Sequence, residues 1–278
     1  MIIWLASYPK SGNSIVRSLL SSYIFSKNGE FNFDLLKNIK LFPDNSLFNQ
    51  IGVDTNNEKE MYKNYINAQK VFYNKESIRF LKTHSAFVNQ DNFKFTDGHN
   101  TKGVIYIVRD PRNLVTSLSY HYQKNIKQSL EELLTPQYLG KDSKQYCTTW
   151  LGSWKYHYNS WKIFEKYNRY LLIKYEDLVF DTANTFLKIL KFIAHLSKVT
   201  FKLDEEKFDT SLKTTTFYEM QKLEKKQKFG RKQNDKTGNP IMFFNLGPKN
   251  DWNKLLDKEI KDNLEKELQN EMKELSYL

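Results

Sequence analysis

Apolar and polar positions along the chain follow two alternating patterns, which predict strands and helices in turn. Residues 2–7 (IIWLAS) form a continuous apolar run that is typical of a buried strand, and residues 14–25 (SIVRSLLSSYIF) repeat their apolar positions at helical spacing. Apolar runs at residues 78–84, 104–110 and 169–177 predict three further strands. Strands that alternate with helices indicate an α/β fold, with a central parallel sheet flanked by helices.

The remaining segments contain no linker, so residues 1–278 are interpreted as one domain. Residues 26–75 mix polar and helical pieces and are expected to form a surface excursion over the sheet, while the Trp-rich residues 146–165 predict a helix. Residues 222–240 are charged and rich in helix breakers, which indicates a mobile loop. The C-terminal segment carries an apolar stripe that predicts a packing face rather than a dimer contact, formed by Leu256, Ile260, Leu264, Leu268 and Met272.

Composition narrows the classes of partner. The chain of 278 residues has a formal net charge of +11, from 43 Lys and Arg against 32 Asp and Glu. This charge favours nucleotides, nucleic acid, sulfated or phosphorylated groups or a membrane surface, although a Lys- and Asn-rich coding bias produces the same balance. The single cysteine, Cys147, excludes an intrachain disulfide and a cysteine-based metal site, and is interpreted as a buried or idle thiol. No apolar run approaches the roughly 20 residues that span a bilayer, and no signal peptide is recognisable, so a cytoplasmic protein is expected.

The turn between the first strand and the first helix, residues 8–13 (YPKSGN), is the first candidate site. Backbone N–H groups at such a turn converge on one point, and the helix dipole adds partial positive charge, so an anion with several oxygens fits there. Lys10 adds a full charge, and Ser11, Asn13 and Ser14 add donors. An ordinary turn between a strand and a helix, with a surface Lys, would have the same sequence pattern. The Walker pattern GxxxxGK followed by Ser or Thr is absent, which argues against a nucleotide triphosphatase.

The segment YPKSGNS, residues 8–14, resembles the 5′-phosphosulfate loop of the cytosolic-type sulfotransferases, usually YPKSGTTW. This family uses 3′-phosphoadenosine 5′-phosphosulfate (PAPS) as sulfuryl donor and releases adenosine 3′,5′-bisphosphate (PAP). The resemblance implies a P-loop-like sulfotransferase fold and a catalytic role for Lys10. It also implies donor contacts from Lys10, Ser11, Gly12, Asn13 and Ser14.

A second motif, residues 107–122 (IVRDPRNLVTSLSYHY), resembles the segment that holds the 3′-phosphate in this family. The corresponding residues are Arg109, at a predicted strand end, and Ser117, in the helix that follows. A guanidinium can grip a phosphate through two charge-assisted hydrogen bonds. An Arg that caps the helix and an exposed helical Ser form the competing interpretation.

The segment FLKTH resembles the family's KTH segment, which carries the catalytic base. His84 is then the candidate base and Lys82 its helper. His84 also closes a predicted strand, where sites form at the edge of parallel sheets, and its unperturbed pKa lies near neutrality. His121 and His157 lie within predicted helices among aromatic residues and are interpreted as packing residues.

Three weaker matches follow in the family's order. Residues 152–161 (GSWKYHYNSW) resemble its GSWxxHxxxW helix, residues 173–177 its Tyr-Glu-Asp strand, and residues 215–220 its TSFxxM segment. The resemblance makes Tyr175, Thr215 and Phe217 candidates for the adenine pocket, since an aromatic face can stack on a purine. Core packing is the alternative role for the two aromatic residues.

Two departures concern the donor. The aromatic residue that often follows the loop is replaced by Ile15, which retains apolar contact and loses ring stacking. The family's late segment RKGxxGDW appears here as NLGPKNDW, so Asn245 and Leu246 replace the basic pair that holds the 3′-phosphate.

The late segment keeps Gly247, whose amide could approach a phosphate closely. The missing charge has three candidate sources, which are Lys249 and the loop residues Arg231 and Lys232. The departure therefore bears on donor affinity more than on the type of reaction.

The resemblance implies a sulfotransferase that moves a sulfuryl group in line from PAPS to a hydroxyl or amine, with no metal and no covalent intermediate. Residues 26–75, 122–150 and 222–240 are expected to shape the acceptor pocket, which could take a small molecule, a glycan or a lipid headgroup. No nucleic-acid-binding signature is present, and a homodimer remains possible. A catalytically degenerate nucleotide-binding protein of the same fold and a P-loop small-molecule kinase are the alternatives.

Overall fold

The described part of the chain contains seven strands, fourteen α-helices and three short 3₁₀-helices, at Phe33–Asn38, Lys162–Tyr167 and Gly247–Lys249. The structure is a computed structural model that describes residues 1–71, 78–141, 146–227 and 238–278. The strands are β1 (Ile2–Ser7), β2 (Lys40–Leu41), β3 (Arg79–Thr83), β4 (Thr101–Val108), β5 (Gln137–Leu139), β6 (Thr149–Gly152) and β7 (Tyr170–Lys174). The helices are α1 (Asn13–Phe25), α2 (Asn45–Asn49), α3 (Glu58–Lys63), α4 (Tyr65–Lys70), α5 (Pro111–Tyr122), α6 (Ile126–Leu134), α7 (Trp154–Trp161), α8 (Tyr175–Phe180), α9 (Thr182–Ser197), α10 (Glu205–Thr214), α11 (Phe217–Gln227), α12 (Trp252–Leu255), α13 (Lys258–Glu267) and α14 (Gln269–Glu274).

Five strands form the central sheet in the order β2-β3-β1-β4-β7, and all neighbouring pairs are parallel. Every residue of β1 is buried, as its continuous apolar run predicts for a strand covered on both faces. Because the strands are parallel, the carboxyl ends of β1, β3, β4 and β7 lie at one edge of the sheet. The loops that carry the predicted site residues therefore meet at that edge.

Helices cover both faces of the sheet, and the alternation of side chains along each strand divides the apolar core in two. On one face, Trp4 and Tyr106 pack in a cluster with apolar residues of α5, α7 and α13. On the other face, Ile3, Leu5 and Ile105 pack with apolar residues of α1 and α9. The predicted α/β fold with a parallel sheet between helices is confirmed.

The C-terminal apolar stripe packs against the first of these clusters, which confirms the predicted packing face. Ile260, Leu264, Leu268 and Met272 are buried there, and Leu256 is partly buried against them. Ile260 and Leu264 lie in α13 and Met272 lies in α14, because the helical conformation is interrupted at Leu268, and Leu256 precedes α13.

Two of the predicted strands end earlier than the sequence indicates. Strand β4 ends at Val108, so Arg109 follows it, and β7 ends at Lys174, so Tyr175 begins α8. The last paired positions of the two strands are Val108 and Lys174, and beyond them neither strand has a partner in the sheet. Both changes bring a predicted site residue to the sheet edge.

Three further segments differ from the sequence prediction. The Trp-rich segment begins with strand β6, which pairs with β5 in an antiparallel ribbon, and its helix starts only at Trp154. The excursion at residues 26–75 contributes the edge strand β2 to the main sheet. Helix α11 continues to Gln227, so the predicted loop at 222–240 begins as a helix, and its residues 228–237 lie outside the described residues.

Candidate functional site

A cavity of about 720 Å³ lies at the carboxyl edge of the sheet. Its walls are formed by the turn after β1, the residues that follow β3, β4 and β7, and parts of α5, α11 and the segment 241–250. All of the predicted site residues line this cavity except Ser11 and Thr215. Those that line it are Lys10, Gly12, Asn13, Ser14, Lys82, His84, Arg109, Ser117, Tyr175, Phe217 and Gly247.

The turn after β1 is closely packed against α8. Gly12 has a φ of 101°, and a Cβ at this position would lie 2.8 Å from a ring carbon of Tyr175. The side-chain amide of Asn13 donates to the Leu5 carbonyl at 2.9 Å and to Ser7 Oγ at 3.1 Å. Both bonds tie the turn to β1, so the Asn13 amide group anchors the turn, whereas the sequence prediction gave it a place among the donor contacts.

Two cations lie side by side at this turn. Arg109 is only 4% exposed, its Nη1 donates to the Lys10 carbonyl at 3.1 Å, and its guanidinium carbon lies 4.1 Å from the centre of the Tyr175 ring. Its Nε is buried and has no hydrogen-bond partner among the described residues. Lys10 Nζ donates to the Phe243 carbonyl at 3.2 Å and lies 3.9 Å from the centre of the Phe243 ring.

Neither cation forms a salt bridge within the described part of the chain. Burial and the charge of Arg109 lower the pKa of Lys10 to about 7, and burial lowers the pKa of Arg109. Buried charges are normally paired, because the loss of hydration is costly. The pair therefore forms a site that an anionic ligand would complete.

His84 directly follows β3 and is held in one tautomer. Its Nδ1 lies 2.7 Å from the Ser7 carbonyl, which can only accept, so Nδ1 carries the proton and Nε2 retains its lone pair. Burial, with Lys82 as the next cause, lowers the pKa of His84 well below its ordinary value. The ring is therefore neutral at physiological pH, and Nε2 can accept a proton.

His157 supports this arrangement from α7. Its Nε2 donates to the His84 carbonyl at 3.1 Å, and its Nδ1 accepts from the Tyr106 hydroxyl at 2.8 Å. Burial lowers the pKa of His157 to about 3, which keeps the ring neutral. His157 is buried as predicted, and its hydrogen bonds also hold the backbone of His84.

The aromatic end of the cavity differs from the prediction at one residue. Phe217 and Tyr175 line the cavity, and Ile15 lines it where the family often has an aromatic ring. Thr215 is 3% exposed and donates to the Ser211 carbonyl at 2.7 Å, so its hydroxyl bonds within its own helical turn. Gly247 has a φ of 53°, and a Cβ there would lie 2.3 Å from the Phe217 ring, so this contact requires glycine.

The segment 243–247 runs along the cavity and is held by α11. The Glu224 carboxylate is 5% exposed and accepts from the backbone N–H groups of Phe243 at 2.6 Å and Phe244 at 3.0 Å. Gln221 Nε2 donates to the carbonyls of Phe244 at 2.8 Å and Asn245 at 3.3 Å. Sequence reasoning did not identify Gln221 or Glu224, because their partners lie beyond residues 228–237.

None of the three residues suggested as replacements for the basic pair of the late segment is seen to line the cavity. Lys249 is exposed and is not among the lining residues, and Arg231 and Lys232 lie outside the described residues. Arg17, one helical turn after Ser14, lines the cavity instead. Its Nη2 donates to the Leu36 carbonyl at 2.5 Å, and burial lowers its pKa to about 10, so it remains charged at neutral pH. Its spacing from the turn was the signal in the sequence that could have identified it.

The other half of the cavity is lined mostly by residues from two of the three segments expected to shape the acceptor pocket, 26–75 and 122–150. Asp44 is the one carboxylate residue among the described lining residues. His121, predicted as a packing residue, also lines the cavity. Cys147 is buried, its Sγ donates to Asn45 Oδ1 at 2.8 Å, and burial raises its pKa to about 12, as expected for an unreactive thiol. The remaining residues of this half include Leu41, Pro43, Asn45, Tyr120, Tyr122, Leu139, Gly140, Tyr146 and Thr149.

Within residues 1–71, 78–141, 146–227 and 238–278, no group of three or more His, Cys, Asp or Glu is arranged to hold a metal ion. None of the helices described there is both long and apolar enough to cross a membrane.

Comparison with known proteins gives one family. The sequence model described as sulfotransferase domain matches residues 2–276. Human Sulfotransferase 2A1 is 28% identical over 151 residues, which are 54% of this chain and 49% of that protein. The 3-beta-hydroxysteroid sulfotransferase of Cavia porcellus is 28% identical over 149 residues, which are 54% of this chain and 48% of that protein. The match spans about half the length of these curated relatives.

Solved structures show the same fold. Retinol dehydratase in complex with androsterone and the inactive cofactor PAP has a TM-score of 0.62 and 18% identity, with 98% of this chain and 80% of that chain covered. Mouse sulfotransferase SULT7A1 complexed with PAP has a TM-score of 0.57 and 19% identity, with 98% of this chain and 84% of that chain covered.

Proposed function

The chain belongs to the sulfotransferase domain family, and from this premise we propose that it transfers a sulfuryl group from PAPS to a hydroxyl or amine of an acceptor molecule. The observation that carries the proposal is the pair of cations formed by the buried Arg109 and the half-buried Lys10, which have no salt-bridge partner among the described residues. A polyanionic donor would supply the missing counter-charge. The structural neighbours named with PAP support this choice of ligand.

The residues that would hold the donor follow from their place in the cavity. Lys10, Ser14 and the backbone amides at the turn would bind the 5′-phosphosulfate, with the helix dipole of α1 adding to the attraction. Arg109 and Ser117 would bind the 3′-phosphate. The adenine ring of the donor would lie between Tyr175 and the Phe217 end of the cavity, because purines stack favourably on aromatic faces. Gly12 and Gly247 would allow the close approach of backbone that this packing requires.

The residues that would perform the transfer are His84, Lys10 and Lys82. His84 Nε2 would accept the proton of the acceptor group, because the Ser7 carbonyl occupies Nδ1–H. The low pKa of His84 makes it a weak base in the free protein, and the negative charge of a bound donor would raise that pKa toward neutrality. Lys10 and Lys82 would stabilise the negative charge that develops on the donor's phosphate and sulfuryl oxygens. PAPS itself supplies the sulfuryl group, which would transfer in line and without a covalent enzyme intermediate.

The acceptor is proposed only as a class. One relative, the Cavia porcellus protein, is named for 3-beta-hydroxysteroids, and the retinol dehydratase structure contains androsterone. We propose that the acceptor of this protein is likewise a small molecule with a hydroxyl or amine group. It would be bound by the half of the cavity around Asp44, Tyr122 and Tyr146. Glycan and lipid acceptors stay within the same proposal, because this half combines polar and aromatic residues.

Calorimetric titration with PAP, with ATP as the competing ligand, tests the donor assignment. The wild-type protein should bind PAP more tightly than ATP, and Lys10→Ala and Arg109→Ala should each weaken PAP binding by roughly tenfold or more, since a hydrogen bond to a charged group contributes about 1.5–3 kcal/mol. Arg79→Ala is the matched control, because Arg79 is exposed at the start of β3, away from the turn.

A preference for ATP would favour the P-loop kinase instead. Tight PAP binding without transfer to any acceptor and without PAPS hydrolysis would favour the catalytically degenerate protein. Equal PAP affinity in the wild type and in Lys10→Ala would refute the donor assignment itself.

A further inference from the structure

One face of α11 determines the path of the segment 243–247. Phe217, Gln221 and Glu224 are four and three residues apart, so they lie on the same side of the helix. Each contacts this segment: the Phe217 ring packs on Gly247, and Gln221 and Glu224 hydrogen bond its backbone.

Glu224 is the buried charge in this contact. Its two carboxylate oxygens accept from the N–H groups of consecutive residues, Phe243 and Phe244, and no Lys, Arg or His of the described ranges forms a salt bridge with it. Such an arrangement fixes the orientation of the peptide that joins these two residues. The carbonyl of that peptide belongs to Phe243 and accepts from Lys10 Nζ, and the Phe243 ring packs against the same ammonium group.

We propose that Glu224 is a positioning residue for donor binding, which holds the ammonium group of Lys10 at the turn through the backbone of Phe243. The proposal rests on the proposed function, because the ligand that Lys10 would meet is the phosphosulfate of PAPS. In the free protein the Phe243 carbonyl accepts from Lys10 Nζ, and because an ammonium group has three N–H donors, Lys10 keeps this bond while it also donates to the donor's phosphate.

The composition of the segment explains why such a positioning residue is needed here. Asn245 and Leu246 bring no charge to the cavity, and the neighbouring Lys249 is exposed and does not line it. The described part of this segment therefore brings no charged side chain to the cavity and would act on the donor through its shape and its backbone. A backbone contact is useful only when its position is fixed, and Glu224 and Gln221 supply the hydrogen bonds that fix it.

The electrostatics of the site give a second, measurable link between Glu224 and Lys10. Three charged or titratable groups interact electrostatically with Lys10. They are Arg109 after β4, His84 after β3 and Glu224 on α11. Burial and Arg109 lower the pKa of Lys10, and Glu224 opposes this by raising it. Removing the negative charge of Glu224 should therefore lower the pKa of Lys10 further.

The test compares Glu224→Gln and Glu224→Ala with Glu219→Gln. Glu219 lies on the same helix, its side chain is 47% exposed, and it pairs with Lys222, so its variant controls for the loss of a carboxylate from α11. In the unliganded protein, the rate at which acetic anhydride labels Lys10 is followed against pH by mass spectrometry. The midpoint for Lys10 should move to lower pH in Glu224→Gln and stay unchanged in Glu219→Gln.

The same variants are then titrated with PAP at pH 6.5 and pH 8.5. Glu224→Ala should bind PAP roughly tenfold more weakly at pH 6.5, because one or two charge-assisted hydrogen bonds that position Phe243 are lost. In Glu224→Gln the affinity should fall more steeply between the two pH values than in the wild type. Glu219→Gln should reproduce the wild-type values at both.

Three results would overturn the proposal. One is an unchanged Lys10 labelling profile in Glu224→Gln. Another is an equal loss of PAP affinity at both pH values accompanied by a lower Tm, which would assign Glu224 to stability alone. The third is that the Lys10 midpoint shifts in Glu224→Gln as expected but the wild-type protein does not bind PAP. This result would refute the donor assignment and, with it, the role of Glu224 in donor binding. If Glu224→Ala does not fold, Glu224→Gln decides, since it retains the size of the side chain and one acceptor.

Discussion

Raising the pH above 7 should weaken PAP binding through Lys10 alone. In the free protein, burial and the neighbouring Arg109 lower the pKa of Lys10 to about 7. A bound phosphate would favour the charged form and raise this pKa in the complex. A group whose pKa is raised by binding makes its full contribution to the binding free energy below its free-state pKa. This contribution is lost as the pH rises above that value. The affinity should therefore be highest below about pH 7 and fall above it.

The size of the effect follows from the same value. Each pH unit above the free-state pKa reduces the protonated fraction of Lys10 about tenfold, which corresponds to about 1.4 kcal/mol. At a pKa of about 7, about half of the Lys10 side chains are protonated at pH 7 and about 1% at pH 9, so the affinity for PAP should fall by up to about 50-fold, or about 2.3 kcal/mol. His84 should contribute little in this range, because its pKa lies well below its ordinary value in the free protein and a bound donor would raise that pKa only toward neutrality, so the ring is largely neutral above pH 7 in both states.

Calorimetry from pH 7 to pH 9 measures this directly. The phosphates of PAP are almost fully ionised above pH 7, since the second pKa of a phosphate is about 6, so the slope belongs to the protein. Titrations near pH 7 in buffers of different ionisation enthalpy should show that the protein takes up about half a proton when PAP binds. This is the uptake expected for a group that is half protonated before binding and fully protonated after it. Lys10→Arg remains charged across the range and should flatten the profile. A wild-type affinity that does not change between pH 7 and pH 9, or an equal slope in Lys10→Arg, would refute the reasoning.

Three further variants test other parts of the site. His84→Ala should lower turnover by roughly 10²–10⁴-fold, the usual contribution of a general base, with PAP affinity retained; near-normal turnover would exclude His84 as the base. Gly247→Ala should weaken PAP binding roughly tenfold, because a Cβ would lie 2.3 Å from the Phe217 ring at a φ of 53°, whereas unchanged affinity would show that the segment adapts. Arg17→Ala should also lower PAP affinity roughly tenfold, since Arg17 is a cation that lines the cavity and is anchored only by the Leu36 carbonyl among the described bonds; unchanged affinity would make it a structural residue.

The local pattern of the sequence was sufficient for those parts of the fold that depend on neighbouring residues. The apolar run of β1 and the helical spacing of α1 predicted both elements, because the periods of strands and helices appear within a few residues. The predicted helix at 146–165 was wrong in its first part. The strand β6 exists there because it pairs with β5, and pairing partners cannot be read from a single segment.

The sequence by itself therefore determined the parallel sheet, the turn that carries Lys10, and the order of the motifs along the chain. Only the tertiary structure decided how these residues behave. Lys10 and the Phe243 carbonyl are 233 residues apart in sequence, and their contact, with the burial it brings, contributes to a pKa near 7 that no sequence motif expresses. The same holds for Asn13, whose amide turns to β1, and for Glu224, whose partners lie across the segment 228–237. Burial and hydrogen-bond partners arise only when distant segments pack together, so the chemistry of these side chains is a property of the folded chain.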